Sequence, residues 1–222
     1  MLKLDFENAK AAIVWTTPNA DQLLADMARV SAPENMGNDP VSLIGYLIRE
    51  RHWSPFEMVN MCVGFVTTRD IGRQILRHDL KPQEFSQRYA DVRKLGGPII
   101  REARLQDTKN RQNSLPCDDQ ALSDWWRQQQ VENWNRVVSV YGEALKRGIA
   151  KEVARAMLPE GNTPSLMFFN GLVRNWLHFC ELRTGNGTQK ECVEVAQSIY
   201  AQLQTVAPYT CEAFERFYKV NK

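Results

Sequence analysis

The chain has 222 residues, 43% of them hydrophobic, with a formal net charge of +2. That length and apolar content suit one domain, residues 1–222, with a core of its own, and they exclude a disordered chain. So small a net charge excludes a nucleic-acid coat, and any anion site has to come from local clustering.

Ala11 to Trp15 reads as an opening strand, closed by Thr16, Thr17 and Pro18. A helix follows from about Ala20, with Leu23, Leu24, Met27 and Val30 at helical spacing. Pro33 to Asp39 is a loop, and Asp39 followed by Pro40 predicts a capped helix start. That helix turns Leu43, Ile44, Tyr46, Leu47 and Ile48 inward and ends near His52. Phe56 to Thr67 is apolar on both faces, which predicts a strand inside a sheet. A helix from Arg69 to Arg77 turns Ile71 and Ile75 inward.

Residues 100–118 are polar and irregular. Asp119 to Arg147 reads as one long helix, with Leu122, Trp126, Val131, Trp134, Val138 and Tyr141 as its buried stripe. Short helices at 149–157, 163–183, 188–205 and 209–219 complete a helical second half. The pattern predicts a mixed α/β domain with helices packed on a sheet.

Three clusters of polar residues could carry chemistry. Gln74, Arg77 and His78 fall at a helix end, followed by the run Gln83-Glu84-Phe85-Ser86-Gln87-Arg88-Tyr89. In extended backbone Glu84, Ser86 and Arg88 share one face. Carboxylate, hydroxyl and guanidinium in a row suit an anionic ligand, although a solvated helix end and a polar turn would hold similar residues. The second cluster is His52-Trp53-Ser54-Pro55-Phe56-Glu57. In the third, Arg155 is followed by Arg174 and His178, one helical turn apart, and by Arg183 five residues later. The apolar residues around them, from Leu166 to Phe179, predict a buried helix that needs an anion or carboxylate to receive its arginines.

Some signals are missing. The five cysteines, at 62, 117, 180, 192 and 211, form no Cys-x-x-Cys pair and read as buried apolar residues of a reducing compartment. His52, His78 and His178 lie far apart in sequence, so no metal site is expected. Trp125-Trp126-Arg127 and Trp134-Asn135-Arg136 fall at helical-core spacing, so no nucleic-acid partner is expected. Met1 to Glu7 lacks a signal peptide's apolar core, and Met58 to Val66 is too short to span a bilayer, so the expected location is cytoplasmic, away from membranes.

Taken in order, these clusters resemble the flavin-dependent thymidylate synthase family over about residues 40 to 214. The family pattern runs Arg-His-Arg, a spacer, then Glu-x-Ser-x-Arg-Tyr. Upstream of it lies His-x-Ser/Thr-Pro-Phe-Glu, and downstream Ala-Arg-x-x-Leu-Pro, a helix ending in Leu-Arg, and Gln-x-Glu. Here Leu182-Arg183 and Gln189-Lys190-Glu191 match the last two. Asp79 stands where the family has its third arginine, the spacer is one residue shorter, and Leu172 replaces a residue that is more often polar.

The resemblance implies a central, mostly antiparallel sheet packed with helices, plus a helical C-terminal half (an α+β type of fold). It implies reductive methylation of dUMP to dTMP, with FAD as cofactor and NADPH and methylenetetrahydrofolate as co-substrates. Arg183 matches the family's activating arginine. Gln74, Arg77, Glu84, Ser86, Gln87, Arg88, Arg155 and Arg183 correspond to dUMP-binding positions. Ser54, Arg77, His78, Asp79, Glu84, Arg174 and His178 correspond to FAD-binding positions. A homotetramer with active sites shared between chains is implied as well. The exchange of arginine for Asp79 predicts weaker FAD retention; loss of catalysis, or another pyrimidine nucleotide as substrate, is the alternative.

Overall fold

A computed structural model describes residues 11–221, so the expectation for Met1 to Glu7 lies outside the described residues. The first elements follow their periodicities: β1 (Ala11–Thr16), α1 (Ala20–Ala28) and α2 (Val41–Arg49). Asp39 does not cap α2; Pro40 holds the cap position, and no side chain bonds there. β2 (Asn60–Thr68) starts later than the expected Phe56, because Pro55 opens a single 3-10 turn over Ser54–Glu57. α3 (Arg69–Ile75) stops two residues before Arg77.

Three strands had no signal in the sequence. β3 (Lys81–Glu84) contains Pro82, which only an edge strand tolerates, and β3 is an edge strand. β4 (Arg104–Gln106) and β5 (Ser114–Pro116) pair antiparallel within the stretch read as irregular. The long helix α4 (Gln120–Lys146) and the short α5 (Lys151–Ala154) stand as expected. Residues 163–183 are not one helix. β6 (Pro164–Leu172) comes first, and α6 (Val173–Arg183) follows. From Leu166 onward the burial of β6 alternates residue by residue. An apolar run of that length fits strand and helix equally until a partner strand decides. α7 (Lys190–Val206) and α8 (Pro208–Phe217) close the chain.

The main sheet has the order β1-β2-β6-β3. β1 runs antiparallel to β2, with a register shift between Ile13 and Trp15. β2 is interior, as its two apolar faces predicted. The chain forms two compact units. The first takes the described residues up to Phe65, Leu76–Gln83 and those from Phe168 onward; the second takes Val66–Ile75 and Glu84–Met167.

The first unit has an aromatic core. Phe65 of β2 stacks on Phe169 of β6, with centroids 5.6 Å apart and planes 4° apart. Trp176 is fully buried, and its indole N–H donates to the Met61 carbonyl at 2.9 Å. Gly171 lies under Leu80 and Trp176: a Cβ there would meet Leu80 Cδ2 at 2.3 Å, so only glycine lets Leu80 seat. α7 packs on α6 and β1, and α2 packs on α8. Asp21 of α1 caps α8, accepting from the Tyr209 and Thr210 amides at 2.8 and 3.2 Å and from the Thr210 hydroxyl at 2.6 Å. Burial pushes the Asp21 carboxyl above its usual range, and those three bonds oppose the shift.

In the second unit α4 buries a narrower stripe than its sequence suggested: Gln130, Trp134, Val137, Tyr141 and Gly142. Leu122, Trp126 and Val131 were expected inside but stay open, with 38% of Trp126 exposed, and Trp125 and Val140 are exposed beside them. The buried polar member, Gln130, is satisfied. It accepts from the Arg101 amide at 3.0 Å and Asn162 Nδ2 at 2.9 Å, and donates to the Arg101 carbonyl at 2.8 Å.

Candidate active site

The predicted site residues sort by unit. Gln74, Glu84, Ser86, Gln87, Arg88 and Arg155 belong to the second, and Ser54, Arg77, His78, Asp79, Arg174, His178 and Arg183 to the first.

In the second unit the expected row of Glu84, Ser86 and Arg88 on one face does not form. β3 ends at Glu84, and the amides of Tyr89 and Ala90 both donate to the Ser86 carbonyl, which closes residues 86–90 into a turn. The backbone therefore leaves the extended form midway through the motif. Glu84 faces inward. Its Oε1 accepts from Arg69 Nη1 at 2.9 Å and from the Ser165 hydroxyl at 2.8 Å. Arg69 is 8% exposed, and burial is the main cause lowering its pKa. Arg73 lies 3.9 Å from Glu84 and 3.6 Å from Glu160.

The Phe85 amide donates to the Leu166 carbonyl at 2.9 Å, and Gln87 is 4% exposed. The turn is thus pinned on both sides of Ser86. Arg88 points outward and meets Glu152 at 3.3 Å, and Arg155 opens the 3-10 turn over Arg155–Met157. Gln74 is half-buried on α3. Arg69 and Ser165 escaped the sequence reading because their partner is distant in the chain and neither belongs to a recognisable spacing.

In the first unit Arg183 and His78, 105 residues apart in sequence, meet directly. The Arg183 Nε–H donates to His78 Nε2 at 2.8 Å. Burial lowers the His78 pKa to about 4, and the charges of Arg183, His178 and Arg77 act in the same direction. Arg77 itself is exposed. Arg174 and His178 share one face of α6 and line a cleft of about 620 Å³. Trp53, Phe214 and Tyr218 form its aromatic wall, and Arg51, Asn175, Glu57, Asp79 and Glu181 its polar rim.

Two basic side chains of that cleft, Arg174 and His178, already have an acid beside them. Arg174 pairs with Glu57, and His178 Nδ1 lies 3.9 Å from Glu181. Asp79 accepts from Lys81 Nζ at 3.0 Å, and Asn175 Nδ2 donates to its carbonyl at 2.6 Å. Lys81 holds the Asp79 carboxyl below the usual carboxylate range, first by that hydrogen bond and then by charge. Ser54 lines a different cleft, of about 700 Å³, with His52, Met27, Met36 and Met58. Asn175 was missed, although it adjoins Arg174, and Glu57 stood in the second cluster without a role assigned to it.

The family model described as thymidylate synthase complementing protein matches residues 12–209. The chain is 45% identical over 192 residues to a probable flavin-dependent thymidylate synthase of Paramecium bursaria Chlorella virus 1, covering 84% of this chain and 86% of that one. It is also 45% identical over 175 residues to the flavin-dependent thymidylate synthase of Synechocystis, covering 78% and 80%. A crystal structure of the UMP/dUMP methylase PolB from Streptomyces cacaoi, bound with 5-Br dUMP, superposes with a TM-score of 0.82 at 27% identity, over 97% of this chain and 98% of that one. The match along nearly the whole length places the chain among enzymes: it belongs to the flavin-dependent thymidylate synthase family.

Proposed function

We propose that this chain methylates dUMP reductively at C5 to give dTMP, with methylenetetrahydrofolate as carbon donor, NADPH as reductant and FAD as mediator. The observation that carries the reading is the Arg183–His78 hydrogen bond, which joins two family motifs 105 residues apart in sequence at 2.8 Å. The chemical obstacle is that C5 of uracil is a poor carbon nucleophile. A guanidinium beside the pyrimidine stabilises negative charge at N3 and O2 and so enriches C5. Arg183 takes that part. Arg88, Ser86, Arg155 and Gln74 hold the nucleotide, chiefly its phosphate. Glu84, engaged by Arg69 and Ser165, serves the nucleotide by holding the 86–90 turn in place.

The cleft on α6 suits a flavin dinucleotide in its donor set. Arg174, Asn175 and His178 offer N–H groups to phosphate oxygens, and Trp53, Phe214 and Tyr218 offer flat apolar faces. The flavin, once bound, supplies the hydride, so no cysteine nucleophile is needed. In keeping with that, Cys180 and Cys192 are fully buried and burial pushes both thiols up.

The open apolar face of α4 supports assembly into the homotetramer implied by the resemblance, with sites shared between chains. Five cysteines outside any disulfide fit a cytoplasmic setting. A second reading has its own support. The similar solved structure is named a UMP/dUMP methylase and was also seen with 5-Br UMP, so the altered Asp79 segment could serve another pyrimidine nucleotide.

Release of tritium to water from C5-labelled dUMP, compared with C5-labelled UMP, tests both readings. Release from dUMP, with a yellow protein bleached by NADPH, is the expected result. A colourless protein that binds dUMP without releasing tritium would mean a relative that has lost catalysis.

A further inference from the structure

The side chain that receives Arg183 is itself held by a chain of rings. The His78 ring meets Phe179 edge-on, with centroids 4.9 Å apart and planes at 86°. Phe179 is fully buried and edge-on to Trp176 at 5.9 Å and 88°. Trp176 in turn donates to the Met61 carbonyl of β2 at 2.9 Å. Two rings, Phe179 and Trp176, thus tie the imidazole to an interior strand. Arg183 Nε is always a donor, so His78 Nε2 must be the acceptor, and the neutral ring carries its proton on Nδ1. Burial and three cationic neighbours keep the ring neutral, which preserves that acceptor.

We propose that His78 is a positioning residue for Arg183: its Nε2 grips the guanidinium by the Nε edge and fixes its plane before the nucleotide arrives. The inference rests on the reading that Arg183 acts on the pyrimidine. An arginine has many rotamers, and each one frozen beforehand is entropy that substrate binding and the reaction need not supply. A contact made only through shape would need His78 for its packing on Phe179. The positioning role needs the acceptor atom as well.

Full-length wild type, His78→Gln and His78→Phe are compared by tritium release and by dUMP affinity without reductant, measured by calorimetry. Glutamine places an acceptor near the Nε2 position, whereas phenylalanine keeps the ring and removes the acceptor. His78→Phe is expected to lose roughly 10–100-fold in kcat and about 3–10-fold in dUMP affinity, and His78→Gln to recover kcat to within about fivefold of wild type. If His78→Phe does not fold, His78→Asn, whose acceptor is too short to reach, takes its place with the same expectation. Wild-type kcat and affinity in His78→Phe, or equal losses in the phenylalanine and glutamine variants, would overturn the proposal. A wild type that neither binds dUMP nor releases tritium removes the reading of function itself, a different result from an active wild type indifferent to His78→Phe.

Discussion

The two units hold their charged residues in opposite ways. In the first, Arg174, His178 and Arg183 stand on one helix, α6, backed by a wall of buried aromatic rings. Each is met by a side chain from elsewhere in the same unit or helix: Glu57, Glu181 and His78. In the second, Ser86 and Arg88 sit on a turn and Arg155 on a 3-10 turn, while the buried cation, Arg69, lies outside the family's binding motifs. The difference separates orientation from support. A helix face fixes side-chain directions by its own geometry, whereas a turn needs a clamp, and Glu84 with Arg69 and Ser165 provides it.

The sharpest break of this contrast is at Arg183. Arg183→Ala is expected to lower kcat for tritium release by roughly 10²–10³-fold, and Arg183→Lys to restore little, because an ammonium does not reproduce the guanidinium edge held by His78. In the second unit, paired Leu122→Asp and Trp126→Asp changes on the open face of α4 are expected to dissociate the assembly, read as a fall in mass by sedimentation velocity. An unchanged mass would show that this face is not the interface.

Glu84→Ala should destabilise the second unit by about 2–3 kcal/mol in a denaturant titration. Removing Glu84 leaves buried Arg69 with Glu160, 3.9 Å away, and that contact and the 21% exposure of the Glu84 side chain keep the cost below that of a fully stranded charge. His78 should leave a pH signature in the first unit. Its folded-state pKa, about 4, lies below the ordinary 6.5. The unfolded chain therefore binds more protons between those values, and stability is lost as pH falls from 6.5 towards 4. Burial is the main cause, and the neighbours Arg183, His178 and Arg77 add to it. Melting temperatures at pH 7 and 4.5 should fall further for wild type than for His78→Gln. The smallest effect is expected from Asp79→Arg. Asp79 is exposed and already paired with Lys81, so flavin affinity should tighten only a few-fold, read by fluorescence quenching.

The helices were legible because their apolar residues recur with a period that only one element satisfies. β2 was legible as well, with both faces apolar and an interior place in the sheet. β3, β4 and β5 were not, since strands of three or four mostly polar residues exist only through their partners. Leu166 to Leu172 was misread because large apolar residues in succession satisfy two periods at once. At the site, Arg174 and His178 on one face of α6 followed from spacing alone. The meeting of Arg183 with His78 could not, because no local pattern encodes a contact across 105 residues. The stripe on α4 failed for a related reason: sequence marks an apolar face and leaves open whether its cover comes from the same chain.

The carboxylate of Asp21 has a consequence far from its own helix. It anchors the first turn of α8, and α8 carries Phe214, part of the aromatic wall beside Arg174. Drift at position 21 during laboratory evolution is therefore expected to register as altered ligand preference, although that side chain does not line the cleft.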